Sequence, residues 1–367
     1  MDEEQCRLRS EVSEYDWFRG GRVKVLMVGL GGVGQRHLRN LRTILGDKAE
    51  VLAYRVRRDT AVVTPTLQLD NDRNVEQEYG VRVFGDLTQA LAEKPNIAVI
   101  ANPSSLHIPI ALECARVGCD LFIEKPLSHT MDGVDGLLAE VQQRGLVVMV
   151  GYQLRFHPCF LRVQEVVQQK LLGNLLAVRA TVGEYLPGWH KYEDYRQGYA
   201  ARADLGGGVV LSQIHEFDYL SALFGKAKRI YAVGGHFSNL EVDVEDVAST
   251  LMECSVDGRP LAVQLHQDYL QRPPSRNCEV IGDQGKAVLD FPTLSVSRYD
   301  TKGELVERAQ WEGFDRNQLF ISEMRHFLDC VKSRKQPVTD LHDGVWSLKL
   351  ALAVKQSIQT QKIVELS

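Results

Sequence analysis

Short apolar runs alternate with segments of helical periodicity between residues 23 and 150. Strands are predicted at 23–28, 51–54, 81–84, 97–100, 121–123 and 146–150, and helices at 33–45, 86–91, 108–117 and 130–143. Alternation of this kind with short connections predicts an α/β fold, a doubly wound parallel sheet of the Rossmann type. Any ligand should then bind at the carboxyl ends of the strands.

The pattern of apolar positions changes after Gly151. Period-2 stretches at 175–182, 230–233, 248–254, 261–265 and 278–281 predict strands, with helices at 157–171, 209–224, 318–332 and 343–358. Strands with few helices between them predict an α+β domain with a large mixed or antiparallel sheet. We therefore divide the chain into an N-terminal extension (1–22), a dinucleotide-binding domain (23–150) and a substrate-binding and oligomerisation domain (151–367).

Composition excludes several classes of protein. The 367 residues include 43 Lys and Arg against 48 Asp and Glu, a net charge of −5, so we expect no nucleic-acid partner. No apolar run approaches the ~20 residues that span a bilayer, so we expect no membrane insertion. Seven widely spaced cysteines and an acidic start predict reduced thiols in a cytoplasmic protein. Paired ligands at zinc spacing are missing, so no metal is expected.

A glycine motif directly follows the first predicted strand and opens the first predicted helix. The segment Gly29-Leu30-Gly31-Gly32-Val33-Gly34 fits G-x-G-x-x-G, which in this context indicates a dinucleotide pyrophosphate site. Gly29 permits the tight turn, Gly31 lets the backbone approach the pyrophosphate, and Gly34 lets the helix pack closely on the strand. Gly32 and Val33 supply N–H groups at the helix N-terminus.

The segment after the second strand bears on the choice of cofactor. An NAD site usually places Asp or Glu there, whereas this chain has Arg55, Arg57 and Arg58. Because arginine suits a 2′-phosphate, we expect NADP, with NAD possible. In the alternative, these arginines form a solvated loop and Asp59 binds the ribose.

Lys125 follows the strand 121–123, at the edge of the sheet where a doubly wound fold binds its ligand. An amine there could contact a phosphate or hydroxyl only. It could instead act as a proton shuttle, if desolvation and a nearby nicotinamide cation lower its pKa. Position alone leaves both interpretations open.

Three motifs in chain order resemble the Gfo/Idh/MocA family, the superfamily of glucose–fructose oxidoreductase and inositol dehydrogenase. They are the glycine motif, the segment Asn102-Pro103-Ser104-Ser105-Leu106-His107, and Glu124-Lys125-Pro126. Segment 151–158 and the run Gly206-Gly207-Gly208 with His215 and Asp218 extend the resemblance over about residues 22–366. Segments 185–202 and 269–276 resemble members found in acidic-sugar and surface-polysaccharide biosynthesis.

The resemblance implies an enzyme that moves hydride between nicotinamide and a carbinol carbon of a sugar, sugar nucleotide or cyclitol. In it, Lys125 relays the hydroxyl proton, and His215 orients the same oxygen or shares the proton. Further cofactor contacts are expected at Asn102, Pro103, His107, Glu124 and Lys125. Substrate contacts are expected at Tyr152, Arg155, Trp189, Tyr195, Ser212 and His215.

One departure from the family's pattern concerns the proton chemistry. Many members have Asp where this chain has Ser212, three residues before His215. Serine carries no charge and cannot raise the basicity of His215. We therefore expect Lys125, more than His215, to transfer the proton. Glu216 is a possible substitute for the missing carboxylate.

Two other functions share these motifs. A non-catalytic sensor of the same fold would bind NAD(P) or sugar without turnover, and an enzyme that cleaves glycosides or ethers would use transient oxidation. The aromatic stretch 185–202 could cover the pocket, form a dimer contact or pack as a lid. We also expect one helix-free face on the second sheet, and therefore a homodimer or homotetramer.

Overall fold

Parallel strands form the first sheet of the computed structural model, which describes residues 22–56, 61–190 and 192–366. They are β1 (Val23–Val28) and β2 (Ala49–Tyr54) and, after a hairpin of β3 (Ala61–Val63) and β4 (Leu69–Asn74), β5 (Val81–Phe84), β6 (Ile97–Ile100), β7 (Asp120–Glu124) and β8 (Val148–Gly151). The order across the sheet is 5-2-1-6-7-8. This is the Rossmann order, and it reverses direction beside β1, where such folds bind their ligands. The predicted doubly wound sheet is confirmed.

Short helices connect these strands. They are α1 (Gly32–Leu45), α2 (Val75–Tyr79), α3 (Leu87–Ala92), α4 (His107–Arg116) and α5 (Val134–Arg144). Asp86 caps α3, as predicted, because its carboxylate accepts the Gln89 backbone N–H at 2.9 Å. Side chains from both faces of the sheet are buried, which explains the continuous apolar runs of its strands.

A second, mixed sheet follows. Its strands are β9 (Leu175–Gly183), β10 (Arg229–Gly235), β11 (Val247–Val256), β12 (Arg259–Asp268), β13 (Ser275–Gly282), β14 (Gly285–Asp290), β15 (Ser295–Tyr299), β16 (Leu305–Gln310) and β17 (Val364–Glu365). They lie in the order 16-15-14-13-9-12-11-10-17, with β9 and β12 parallel and the other pairs antiparallel. The predicted mixed sheet is confirmed, although β14 to β16 extend it beyond the strands that the pattern predicts.

The helices of this half of the chain are α6 (Pro158–Gln168), α7 (Val209–Ser212), α8 (His215–Phe224), α9 (Asn317–Ser333) and α10 (Leu341–Thr360), of which α6, α7, α8 and α10 contact strands of the mixed sheet. The predicted helix 209–224 is therefore two helices. The chain leaves helical geometry at Gln213, whose side-chain amide donates to the Asp268 carbonyl while its own carbonyl accepts from Gln267. This break places His215 at the first position of α8. No helix among the described residues combines the length and apolar character needed to cross a bilayer.

The helix α9 returns to the parallel sheet. Its Met324 and Phe327 are fully buried in the same core as Met27 of β1 and Phe122 of β7. The rings of Phe122 and Phe327 lie edge to face with centroids 5.7 Å apart. The N-terminal end of α9 is consequently held beside α1, close to the glycine motif.

Candidate active site

The glycine motif forms an open cradle between β1 and α1. Gly29 has φ +88°, and a side chain there would meet the Ala101 carbonyl at 2.9 Å. A methyl group on Gly34 would lie 2.2 Å from the Gly29 carbonyl oxygen, so only glycine lets α1 approach β1 this closely. A Cβ on Gly31 would meet nothing within 4 Å. Since α1 begins at Gly32 and Val33, its N-terminal N–H groups border this space, which fits a dinucleotide pyrophosphate.

Tyr192 extends from the second domain to this cradle. Its hydroxyl lies 2.7 Å from the position that a Cβ on Gly32 would occupy. Burial raises the pKa of Tyr192 to about 12, so the phenol stays protonated and can donate a hydrogen bond. The pattern of the sequence did not single out this residue within the stretch 185–202.

The segment after β2 contains only part of the predicted ribose site. The Nη1 atom of Arg55 lies 3.8 Å from a carboxylate oxygen of Glu76, and its side chain is one-tenth exposed. Arg55 is therefore directed towards α2. Arg57, Arg58 and Asp59 lie outside the described residues.

The loop after β6 carries Asn102, Pro103 and His107. His107 is buried, with Nδ1 2.9 Å from the Pro126 carbonyl oxygen and Nε2 2.8 Å from that of Asn102. Desolvation lowers the pKa of His107, while the contacts with the two carbonyl oxygens oppose that shift, and the ring connects the loops after β6 and β7. The side-chain oxygen of Asn102 is buried and has no partner among the described residues. An unsatisfied acceptor beside the cradle fits the polar face of a nicotinamide nucleotide.

Glu124 ends β7 as a buried, ionised carboxylate. One oxygen accepts from His37 Nε2 at 2.6 Å, and the other accepts the Lys125 backbone N–H at 3.1 Å. Burial alone would raise the pKa of Glu124, but the hydrogen bond and charge of His37, together with the charge of Lys125, outweigh it and hold that pKa below its usual value. Glu124 thus anchors the start of the lysine loop to α1.

Lys125 and His215 meet at the edge between the domains. Lys125 Nζ donates to the Ser212 carbonyl at 2.9 Å, which ties the loop after β7 to α7. His215 follows three residues later, is 4% exposed, and has no hydrogen-bond partner for Nδ1 among the described residues. Burial, then the charges of Lys125, Arg276 and Arg316, lower the pKa of His215 well below its usual value. The imidazole is therefore neutral and able to accept a proton.

Glu216 does not replace the missing family carboxylate. Its oxygens pair with Arg276 Nε at 2.8 Å and with the second guanidinium nitrogen at 3.1 Å. Both acceptors are thereby directed towards β13, and not to His215. The hydroxyl of Ser212 is buried without a hydrogen-bond partner among the described residues, and its main-chain carbonyl accepts from Lys125.

Tyr152 and Arg155, two further predicted substrate residues, have different surroundings. Tyr152 is buried with its ring edge-on to His215, the centroids 5.8 Å apart. Arg155 instead donates to Asp218 at 2.9 Å and is nearly buried, which gives it a structural role in holding α8.

Two residues of the segment 185–202 are tied to the protein at its edge. Trp189 packs edge-on against Tyr269 at 5.4 Å, and its indole N–H is buried without a partner among the described residues. The hydroxyl of Tyr195 accepts the Glu241 backbone N–H at 3.2 Å. The segment therefore packs over the second domain beside the site.

Family models match both halves of the chain. Residues 23–152 match the GFO_IDH_MocA model, described as an oxidoreductase family with an NAD-binding Rossmann fold. Residues 160–288 match the GFO/IDH/MocA C-terminal domain. The chain belongs to the Gfo/Idh/MocA oxidoreductase family. The resemblance in its motifs is thereby confirmed, and the protein is an oxidoreductase with an NAD-binding Rossmann fold.

Relatives within the Gfo/Idh/MocA family span nearly the whole chain. A myo-inositol 2-dehydrogenase of Thermotoga maritima is 24% identical over 94% of this chain and 98% of its own length. A trans-1,2-dihydrobenzene-1,2-diol dehydrogenase of Bos taurus is 29% identical over 74% and 80%, respectively. The myo-inositol 2-dehydrogenase structure from Lactobacillus plantarum shares the fold, with a TM-score of 0.76, 19% identity and coverage of 94% and 100%. The WlbA dehydrogenase from Bordetella pertussis, solved with NADH and UDP-GlcNAcA, has a TM-score of 0.75 at 20% identity, with coverage of 94% and 99%.

Two cations at the boundary between the two domains, called the cleft below, were not predicted from the sequence. Arg36 lies on α1, with its guanidinium carbon 4.6 Å from the centroid of the Phe320 ring. Arg316 precedes α9 at the N-cap position. Neither belongs to a family motif or shows a distinctive spacing, and only the return of α9 to the parallel sheet brings them together.

Proposed function

We propose that this protein transfers hydride between a nicotinamide dinucleotide and a carbinol carbon of a sugar, sugar nucleotide or cyclitol. The observation that carries the proposal is the meeting of Lys125 with the α7–α8 turn at the carboxyl edge of the parallel sheet. An amine and a neutral imidazole are held there between the cofactor cradle and the second domain. Named relatives that act on inositols support a polyhydroxylated substrate.

The bound cofactor would accept or donate the hydride, and the protein supplies binding, orientation and a path for the proton. The glycine cradle and the N-terminus of α1 would hold the pyrophosphate, and Asn102 offers an acceptor beside it. Tyr192 closes the cradle from the second domain. These contacts orient the cofactor relative to Lys125.

Lys125 and His215 would share the hydroxyl proton during oxidation. The Ser212 carbonyl fixes the Lys125 amine through a single hydrogen bond, so the amine is positioned by a dipole and not by a carboxylate. Lys125 relays the proton of the reacting hydroxyl. Because the pKa of His215 is lowered, its neutral ring can orient the same oxygen or accept the proton.

Steady-state kinetics on a panel of cyclitols and sugars would test this proposal, with reduced nicotinamide absorbance as the readout. Lys125→Met should lower kcat by about 10²- to 10⁴-fold, the usual contribution of a positioned proton-transfer group, without changing NADH affinity. Lys349→Met, at an exposed position of α10, is the matched control and should retain full activity. Full activity of Lys125→Met would refute the assignment, and NADH binding without turnover of any compound would favour a sensor.

NADP is the proposed physiological cofactor. Arg57 and Arg58 support this preference by charge, since guanidinium groups recognise a phosphate bidentately. Relatives solved with NAD or NADH keep NAD as the competing candidate.

A homodimer or homotetramer is the proposed assembly. Three apolar side chains, Tyr231 and Val233 of β10 and Leu251 of β11, are 38%, 54% and 58% exposed on one face of the mixed sheet. Tyr231 and Leu251 are direct cross-strand neighbours, so the apolar surface is continuous. A second copy of the chain would bury it.

A further inference from the structure

Two guanidinium groups, Arg36 of α1 and Arg316 at the start of α9, have no carboxylate partner among the described residues. Among the described residues, neither Arg36 nor Arg316 has an acidic oxygen within 4.0 Å. Most other arginines near the cleft are paired, as Arg276 is with Glu216 and Arg155 is with Asp218. The cation–π contact with Phe320 orients Arg36 but leaves its N–H groups unsatisfied by any carboxylate.

Local structure brings these two cations to one place. Arg316 and Phe320 are four residues apart at the start of α9 and so share a face of the helix. Since Arg36 lies over the Phe320 ring, its guanidinium is beside the N-terminal turn of α9. The Asp315 carboxylate caps this turn by accepting the Asn317 backbone N–H at 2.9 Å, while Arg316 adds a positive charge at the positive end of the helix dipole.

Both arginines have a pKa below the usual value for a guanidinium group. Desolvation lowers the pKa of Arg36, and the charges of Arg316 and Arg39 lower it further, while Glu124 and Tyr192 oppose the shift. Desolvation also lowers the pKa of Arg316, followed by the charge of Arg276, while Glu184 opposes both. A sequence that tolerates such repulsion at a helix end gains no stability from it, which is typical of a binding site.

The cluster adjoins the reacting centre. Arg36 directly precedes His37, whose Nε2 lies 2.6 Å from the carboxylate of Glu124 beside Lys125, and Arg276 is hydrogen-bonded to Glu216, the residue that follows His215. Arg316 is accessible to solvent, so a ligand can reach it. An anion held between Arg36 and Arg316 would therefore belong to the molecule whose hydroxyl meets Lys125.

We propose that Arg36 and Arg316 form an anion site for a carboxylate or phosphate carried by the substrate sugar itself. This inference rests on the proposed function, since it takes the cleft to be the substrate site. It predicts that the enzyme discriminates acidic sugars from neutral ones. Planar guanidinium groups suit the bidentate recognition of either anion.

Isothermal titration of the NADH-saturated protein at constant ionic strength would test this site. The ligands are D-glucuronate, D-glucose 6-phosphate and neutral D-glucose. Wild type should bind at least one of the two anions about tenfold or more tightly than glucose, a difference of about 1.4 kcal/mol. Arg316→Gln and, separately, Arg36→Gln should reduce that preference below about threefold. Arg116→Gln, an exposed arginine of α4 paired with Glu113, should leave it unchanged.

The outcomes distinguish a failure of the anion site from a failure of the proposed function. Selective binding of glucuronate identifies a carboxylate site, and selective binding of the phosphate ester identifies a phosphate site. Equal affinity for all three ligands in wild type, or a preference that survives both arginine substitutions, would overturn the inference. NADH affinity, measured on the same samples, should change less than twofold in each variant. Failure of the wild type to bind either NADPH or NADH would instead contradict the proposed function.

Discussion

The buried pair of Glu124 and His37 permits a quantitative test of how the lysine loop is held. The variant His37→Phe keeps an aromatic ring between Phe122 and Phe320, whose centroids lie 4.9 and 6.0 Å from the imidazole. It removes the donor at 2.6 Å from Glu124. Glu124 is 6% exposed, so breaking the pair should cost about 3–5 kcal/mol, the usual penalty for an unpaired buried charge.

The loss of stability in His37→Phe should depend on pH, in a direction that follows from the pKa of Glu124. In wild type the pKa of Glu124 is lowered, so its ionisation stabilises the fold above the unfolded-state pKa and that contribution is lost as the pH falls. In His37→Phe, desolvation persists without the compensating hydrogen bond, so the pKa of Glu124 should rise above its unfolded value. Ionisation then destabilises the fold as the pH increases. The difference between the two proteins should grow from about pH 5 to about pH 8.

Urea unfolding followed by far-ultraviolet circular dichroism across this pH range would measure the effect. His342→Phe, an exposed histidine of α10, serves as the matched control and should change stability by less than about 0.5 kcal/mol. The double variant His37→Phe with Glu124→Gln should recover part of the loss, because no charge remains buried. A deficit below about 1 kcal/mol that does not vary with pH would refute the reasoning.

Three further outcomes are expected. Gly31→Ala should keep a free energy of unfolding within about 0.5 kcal/mol of wild type but bind NADH at least about tenfold more weakly. Gly34→Ala should lose about 1–3 kcal/mol of stability, because its Cβ would lie 2.2 Å from a carbonyl oxygen. Equal stability and equal NADH affinity of the two variants would contradict the assignment of the cradle. Fluorescence titration should show NADPH binding about tenfold or more tightly than NADH (about 1.4 kcal/mol), with the preference lost in Arg58→Ala; tighter NADH binding would reverse the choice of cofactor. Light scattering should give a dimer or tetramer mass, and a constant monomer mass across a dilution series would exclude the assembly.

Much of the fold was predictable because its signals are local. Continuous apolar runs identify the strands of the parallel sheet, and Asp86 marks a helix start. The strands β14 to β16 were not predicted; of these, β16 lies at the edge of its sheet and has mostly exposed side chains without clear alternation. The break between α7 and α8 also escaped prediction. It depends on amide hydrogen bonds from Gln213 and Gln267 to residues that are distant in sequence.

The residues of the candidate site likewise include some that local motifs predict and others that only the fold brings together. The glycine cradle, Lys125 and His215 were identified because they lie in contiguous motifs with known strand and helix context. The partner of Glu216 could not be identified, because Arg276 is 60 residues away and joins it only when β13 pairs with β9. The arginine pair of the cleft is more distant still, since Arg36 precedes Arg316 by most of the chain.

The helix α9 explains how such remote residues come to share a site. Met324 and Phe327 on its inner face complete the core beneath the parallel sheet, and this packing determines where its N-terminal turn lies. That turn presents Phe320 and Arg316 to α1, the same helix that carries the cofactor cradle and His37. The proposed anion site is therefore positioned by the core of the dinucleotide-binding domain. Discrimination between acidic and neutral sugars should consequently depend on the packing of α9 as well as on its arginine.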